Sequence, residues 1–578
     1  MKIALAQQNY IVGNFGYNTS LILDAIARAR KTGADLVVFS ELCVCGYPPR
    51  DFLEFDDFNK QCDQAIASIA DACRGIAAVV GAPSTNPGIK GKTLYNSAWF
   101  LSEGSVLGMA HKTLLPTYDV FDEYRYFEPN RMPYQLIDYK GTRFALTICE
   151  DLWNVDNYPL YVRNPMEELI KLHPDVVINI ASSPFHYNQP EIRMDILSRN
   201  AKQYCLPLVY VNQVGGQTEL LFDGGSMVIA NDGSLKGELN RFEEDLRVYD
   251  LKELQIPDAG CRMPDSPLPS WGGVGGGVDP VSSIIVIARS EATRQKDPES
   301  SIKLIHSALV MGIRDYFSKM GFSKAILGLS GGIDSAVTLV LAAEALGNEH
   351  VKAVLLPSRF SSAHSIADAQ KLAENLQVSF EIIPIDAPFT AVEKSLEPIF
   401  QGLPFNLTEE NIQARMRALI LMALANKFGY ILLNTSNKSE AAVGYGTLYG
   451  DMCGGISVLG DLYKTQVYEL ARYLNHKKEI IPLNTIEKPP SAELRPDQKD
   501  IDSLPDYALL DQILYQYIEE RKGPKEITAM GFDPEVVKRV LGLVNGSEWK
   551  RHQTPPILRV SPKAFGVGRR MPIVGKYL

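Results

Sequence analysis

Nothing in this chain of 578 residues approaches the run of about 18 apolar residues that a membrane-spanning helix needs, so no span is expected. A basic balance is missing too. Lys and Arg number 58 against 68 Asp and Glu, a formal net charge of −10. A general nucleic-acid binder carries a basic face, so that class of partner is not expected. Met1 leads straight into KIALAQ, without the basic stretch and apolar core of a secretory signal. The eight cysteines are scattered and make no C-x-x-C pair. That argues against a disulfide framework and for a reducing, cytoplasmic setting. A hydrophobic content of 46% with 22% charged residues is ordinary for a soluble globular protein. The length exceeds what one core sustains and suggests about two to four domains.

One more absence introduces what is there. The stretch Gly328, Leu329, Ser330, Gly331, Gly332, Ile333, Asp334, Ser335 lacks the lysine of the common P-loop. It nonetheless sits between a strand-like run (Lys324–Leu329) and a helix-like run (Ala336–Leu346, stopped by Gly347). A strand turning through Ser-Gly-Gly into a helix aims backbone N–H groups at a bound anion, most naturally phosphate. Glycine is needed there for close approach and for a positive φ. Asp334 offers a carboxylate to a metal ion and Ser335 a hydroxyl to phosphate. The plain alternative is a tight turn with Asp334 and Ser335 as helix caps. The whole string resembles the pyrophosphate loop of the ATP-pyrophosphatase superfamily, whose members adenylate a substrate and release pyrophosphate.

From residue 2 to about 260, strand-like and helix-like segments alternate. Ile3–Ala6, Asp35–Ser40, Ile76–Ala82, Tyr95–Leu101, Phe144–Cys149, Val176–Ile180, Leu208–Val211 and Met227–Ala230 read as strands. Thr19–Lys31, with Asn18 or Thr19 as cap, reads as an amphipathic helix; Phe58–Cys73 and Arg193–Cys205 look similar. Glu41 follows one buried strand, Cys149 follows another, and Lys112 lies in a loop-like stretch. Taken singly, a cysteine ending an apolar strand is more often a small buried hydrophobe, and a lone Glu or Lys a solvated surface group.

Three segments change that weighing: SELCVCGYPPRDFL, HKTLLPTYDVFDEYRYF and ICEDLW resemble the catalytic blocks of the nitrilase superfamily, in the family's order. The resemblance covers roughly residues 1–250 and implies an α-β-β-α sandwich. It makes Cys149 the nucleophile, Glu41 the general base and Lys112 the electrostatic partner. The chemistry is coherent. An ammonium lowers a thiol's pKa and stabilises a tetrahedral oxyanion, while a carboxylate carries the proton to the leaving amine. Within the same resemblance Tyr118 and Ser183 match positions that hold the amide substrate, glutamine. Gln189 stands where the glutamine-using members usually have lysine.

Residues 262–300, rich in Pro, Gly and Ser at the start, read as a linker or insertion, with a short strand conceivable at Ser283–Ala288. The glycine run has no strand–helix frame for a dinucleotide fingerprint. The expected domains are therefore 1–261, the connecting 262–300, and 301–578. In the last, Ile302–Met320 reads as a helix closed by Gly321, followed by the strand Val351–Leu356, the helix Ser365–Leu376 and the strand Ser379–Pro384. Thr408–Lys427, with Thr408 as cap, reads as a helix that puts Asn411 and Arg415 on one face, and Tyr430–Asn434 reads as a strand. Alternation at this spacing implies a doubly wound, largely parallel sheet, with ligands at the carboxyl ends of its strands.

ENIQARMR, NTSNKSE, GDLYKT and KPPSAELRPDQKDIDSLP resemble the hallmark blocks of the NAD synthetase family. By that resemblance Asp334 and Glu440 ligate Mg2+, Thr435 and Lys464 touch ATP, and Asn411, Glu440 and Lys550 meet deamido-NAD+. Nearly the whole chain is similar to the glutamine-dependent members of that family, which implies the last step of NAD+ biosynthesis. Glutamine supplies ammonia, which the family passes through an internal tunnel, and the products are AMP, pyrophosphate, glutamate and NAD+. The resemblance also implies a homo-oligomer. Two other readings stay open at this point: another ATP-pyrophosphatase amidotransferase, such as one making GMP, and a dinucleotide-binding relative without catalysis.

Overall fold

The computed structural model describes residues 1–88, 90–155, 160–257, 298–496, 498, 500, 504–575 and 577. The expected connecting segment, with the strand at Ser283–Ala288, lies outside them except for its last three residues, which open a helix. Two compact units form: Met1–Gln217 with Phe222–Lys296, and Thr218–Leu221 with Asp297–Leu578.

In the first unit, strands buried on both faces build two sheets. One runs β12-β1-β2-β3-β4-β5, using β1 (Lys2–Gln7), β2 (Leu36–Val38), β3 (Ala77–Thr85), β4 (Leu94–Ser102), β5 (Ser105–His111) and β12 (Asp245–Asp250). The other runs β11-β10-β9-β8-β7-β6, using β6 (Ile137–Tyr139), β7 (Thr142–Ile148), β8 (Val176–Ala181), β9 (Leu208–Asn212), β10 (Met227–Ile229) and β11 (Leu235–Glu238). Each has a parallel centre, β1-β2-β3 in one and β7-β8-β9 in the other, flanked by antiparallel pairs.

Ile3, Leu5, Leu36, Val38 and Val79 face the second sheet's Phe144, Leu146, Ile178 and Val209 in one core. Their alternates Ala4, Ala6, Val37 and Val80 meet α1 (Phe15–Lys31) and α2 (Asp56–Ala72) through Ile22, Ile26, Ile66 and Ile69. A helix labelled α3 (Gln189–Tyr204) lays Leu197, Ala201 and Tyr204 on the second sheet. The layers are helix, sheet, sheet, helix.

The second unit holds a parallel sheet of order β15-β14-β13-β16-β17, with β13 (Ala325–Gly328), β14 (Val351–Leu355), β15 (Ser379–Ile382), β16 (Ile431–Asn434) and β17 (Ile456–Ser457). A helix α4 (Pro298–Met320) precedes them, α5 (Ile333–Leu346), α6 (Ala363–Leu376), α7 (Asp386–Phe400), α8 (Leu407–Phe428) and α9 (Lys438–Val443) run between them, and α10 (Lys464–Leu474) follows. On one face of this sheet α8 lays Leu421 and Ala425 over Ile326, Val354 and Leu432. The chain proceeds β13, β14, β15 outward in one direction and returns to β16 on the other side of β13. That reversal is the switch point of a doubly wound sheet, where ligands bind.

Several local expectations need correction. The first helix starts at Phe15, capped by Asn14, whose side chain accepts from the Tyr17 N–H. Asn18 is instead buried, bonded to the backbone of Ile11 and Val44. The cap of α8 is Asn406, not Thr408: Asn406 accepts from the Thr408 N–H, and Glu409 accepts from the Asn406 N–H at 2.8 Å. Asp334 and Ser335 lie in the first turn of α5, and Gly332 takes the cap position. The strands β5, β6, β11, β12 and β17 and the helices α7, α9 and α10 have no counterpart in the pattern read from the sequence.

Candidate active sites

In the first unit, the turns after β2, β5 and β7 carry the three residues singled out above. Glu41 follows β2, and its turn sits so close to β3 that a Cβ on Gly81 would lie 2.4 Å from the Leu42 backbone N. Lys112 directly follows β5, held by its own N–H on Asn96 O and by Asn130 N–H on its carbonyl. Cys149 opens a short helical turn after β7 with φ +42°, a left-handed conformation that strains a residue with a Cβ. Asp151 pins that turn to the Lys112 loop, accepting from the N–H groups of Ile148, Thr113 and Leu114.

The structure brings the three together in a buried cluster. Lys112 Nζ donates to Glu41 Oε1 at 2.7 Å and to Glu123 Oε1 at 2.8 Å, and the Lys112 and Glu41 side chains are wholly buried. Asn96 Nδ2 and the Ser182 N–H also donate to the Glu41 carboxylate, and the Tyr47 hydroxyl donates to Glu123. Burial weakens the Lys112 ammonium, yet Glu123 and Glu41 hold its pKa well above the ordinary value. Glu123 is pushed up to about 7, by burial against the pull of Lys112. Burial, then the charge of Glu41, raises the Cys149 thiol well above its ordinary value, while Lys112 lowers it. Thiol, carboxylate and ammonium thus act on one another within one buried cluster.

Beside Cys149, the Tyr118 hydroxyl donates to Glu150 Oε1 at 2.9 Å, and Tyr161 donates to the same oxygen at 3.0 Å. Ser183 and Gln189 also meet: Gln189 Nε2 donates to Ser183 Oγ at 3.2 Å, and the Ser183 N–H donates to Asn212. Glu123, Glu150 and Tyr161 had not been singled out. Glu123 lies inside the block HKTLLPTYDVFDEYRYF, but no spacing rule marks which carboxylate will fold back onto Lys112.

In the second unit, the loops after β13 and β16 leave the switch point side by side. Gly331 has φ +80°, and a Cβ there would come within 2.2 Å of the Ser365 carbonyl oxygen, so only glycine fits. Ser335, buried, ties the loop together by accepting from the Ser330 N–H and donating to the Gly332 carbonyl. Asp334 Oδ1 accepts from Asn437 at 2.9 Å, and Oδ2 accepts from Lys464 Nζ at 2.5 Å. Lys464 also lies 3.3 Å from Glu440 Oε1. Burial, then Asp334, pushes Glu440 up to about 8 despite Lys464.

Thr435, half-buried, directly follows β16. Asn411 and Lys550 gather at the far end of α9. Asn411 Oδ1 accepts from the Thr447 hydroxyl at 2.7 Å, and Lys550 Nζ donates to the carbonyls of Gly444 and Gly446. The candidate residues thus fall into two groups, one at each end of a six-residue helix. Arg417 had not been singled out either. Its Nε donates to the Leu356 carbonyl, its Nη groups have no hydrogen-bond partner among the described residues, and burial lowers its pKa to about 10. A half-buried guanidinium with open donors suits an anion.

Comparison with known proteins bears on the whole chain. Residues 2–256 match the family model described as carbon-nitrogen hydrolase, and residues 305–554 the one described as NAD synthase. The chain is similar to the glutamine-dependent NAD(+) synthetase of Synechocystis sp., at 43% identity over 580 residues covering 99% of this chain and 98% of that one. It is similar to the Acinetobacter baylyi protein of the same name at 42% identity, with 99% and 98% covered. Among solved structures, glutamine-dependent NAD+ synthetase from Acinetobacter baumannii in complex with ADP is 39% identical, with TM-score 0.73 over 99% of this chain and 98% of that one. The chain belongs to the glutamine-dependent NAD(+) synthetase family.

Proposed function

We propose that the chain amidates deamido-NAD+ to NAD+ with ATP, using ammonia that it frees from glutamine. The observation that carries this reading is the 43% identity, over essentially the full length of both chains, to a relative named for that reaction. In the first unit the Cys149 sulfur attacks the glutamine carboxamide as its proton passes to Glu41. Lys112 steadies the oxyanion, the amide nitrogen leaves as ammonia with the proton from Glu41, and water cleaves the thioester to glutamate. Tyr118, Ser183 and Gln189 hold the substrate glutamine, Gln189 as an uncharged donor.

In the second unit the nicotinate carboxylate attacks the α-phosphorus of ATP, expelling pyrophosphate and forming an acyl adenylate. Ammonia then attacks the acyl carbon and AMP leaves. Residues 328–335, with Thr435 and Lys464, take ATP; Asn411, Glu440 and Lys550 take deamido-NAD+. A magnesium ion fits Asp334 and Glu440, since both are hard oxygen donors already drawn to one cation. When bound it would supply neutralisation of charge on the departing pyrophosphate.

We further assign residues 1–261 to the glutaminase and 301–578 to the synthetase. A cytoplasmic setting suits a free thiol nucleophile, and no helix among the described residues is long and apolar enough to cross a membrane. A homo-oligomer is favoured by Ile399, Leu403, Leu407 and Leu419, apolar residues of α7, α8 and the turn between them, each more than 60% exposed. The test is direct. ATP, glutamine and deamido-NAD+ are supplied together, and AMP and NAD+ should appear in equal amounts. AMP without NAD+, or amidation of a different nucleotide, overturns the reading.

A further inference from the structure

The two carboxylates assigned to magnesium are already bridged by a cation of the protein's own. Lys464 Nζ stands 2.5 Å from Asp334 and 3.3 Å from Glu440, and its side chain is only 3% exposed. The ammonium lies 5.3 Å from the centre of the Tyr507 ring. An ammonium bonded to one oxygen of each carboxylate stands where an ion shared by those same oxygens must stand. The two cannot coexist there, because like charges about 4 Å apart in a buried site repel by several kcal/mol.

The donor set is also small. Magnesium wants near-octahedral oxygen coordination and is commonly held by about one or two carboxylates, with substrate phosphates and water completing the shell. Among the described residues no group of three or more His, Cys, Asp or Glu is gathered to hold an ion. Two carboxylates alone must displace a buried ammonium that is already paired with both. Phosphate changes that balance, since it offers oxygens to the ion and a new partner to the ammonium. The backbone at Lys464 is fixed meanwhile, its N–H on Ser439 Oγ at 2.9 Å, so only the flexible four-carbon stem has to swing.

We propose that Lys464 is the resident counter-ion of the Asp334–Glu440 pair, and that metal enters only with the nucleotide's phosphates, which draw the Lys464 ammonium off the carboxylates. This rests on the assignment of Asp334 and Glu440 as metal ligands. Mn2+ is titrated into the full-length protein, and water-proton relaxation distinguishes protein-bound ion from ion on nucleotide. The wild type should bind Mn2+ at least tenfold more weakly alone than with a non-hydrolysable ATP analogue. Lys464→Met and Lys464→Gln should bind Mn2+ alone at least tenfold more tightly than the wild type, and Lys464→Arg, which keeps the charge, no more tightly. Equal affinity of the wild type with and without the analogue, or no gain in both uncharged variants when folded by circular dichroism, overturns the proposal. A separate arm tests its foundation. Asp334→Asn with the analogue should lose Mn2+ affinity, and wild-type affinity there would remove the ligand assignment itself.

Discussion

At the residue scale the first site is a problem of one cation between two carboxylates. Lys112 cannot neutralise both Glu41 and Glu123, and the structure resolves this by pushing Glu123 up to about 7. A carboxyl whose folded pKa lies above its unfolded value binds its proton more tightly in the native state. Its contribution to stability is therefore present at low pH and lost as pH rises through about 7. Glu123→Gln removes the charge and keeps the shape. Its melting temperature relative to the wild type should be higher at pH 8 than at pH 5, as calorimetry at the two pH values would read. The same change should lower kcat for glutamine hydrolysis at least tenfold, because Lys112 loses one of the two carboxylates that hold its ammonium in place. Asp334→Asn is the matching test in the second unit. It should abolish NAD+ formation while leaving glutamine hydrolysis at its basal rate, and near-normal synthesis at limiting magnesium would exclude the metal-ligand role.

Elements show how far the chain could be read from its residues. Cys149, Glu41 and the loop at 328–335 were legible because each stands where an apolar strand stops, and strand ends are set by local pattern. The caps were half legible. Both Asn406 and Thr408 are sound cap residues, and the choice went to Asn406 because Glu409 lies three residues on and can reach back to its N–H. Hydrogen exchange tests that choice: Asn406→Ala should cost about 1 kcal/mol in the first turn of α8 and speed exchange at its leading amides, whereas Thr408→Ala should leave them unchanged. Edge strands other than β15 were not legible. The strand β5 is largely exposed or half-buried, SVLGMAH, so no clean apolar alternation announces it. Nor were partners set by tertiary contact: Glu123 on Lys112, Tyr161 on Glu150 and Asn437 on Asp334 depend on residues 11, 11 and 103 positions away.

For the whole molecule, the decisive property is that the residues proposed for the two chemistries lie in different units. Nothing assigned to adenylation lies in the first unit, and nothing assigned to glutamine opening lies in the second. Cys149→Ala removes the sulfur that would form the thioester. The replacement is smaller and apolar at a buried strand end, and the loss of one sulfur leaves only a small cavity, so folding should survive. Such a variant should make no NAD+ from glutamine, yet make NAD+ and AMP when ammonium salt is supplied at moderately alkaline pH. Alkaline conditions matter because only neutral ammonia carries the lone pair that attacks the acyl adenylate. The measurement is NAD+ and AMP release with each nitrogen source in turn, and its two adverse outcomes mean different things. Synthesis retained with glutamine would make Cys149 a packing residue and put the nucleophile elsewhere. Synthesis absent with both sources, in a variant that still folds, would mean that the second unit needs a competent first unit for its own chemistry.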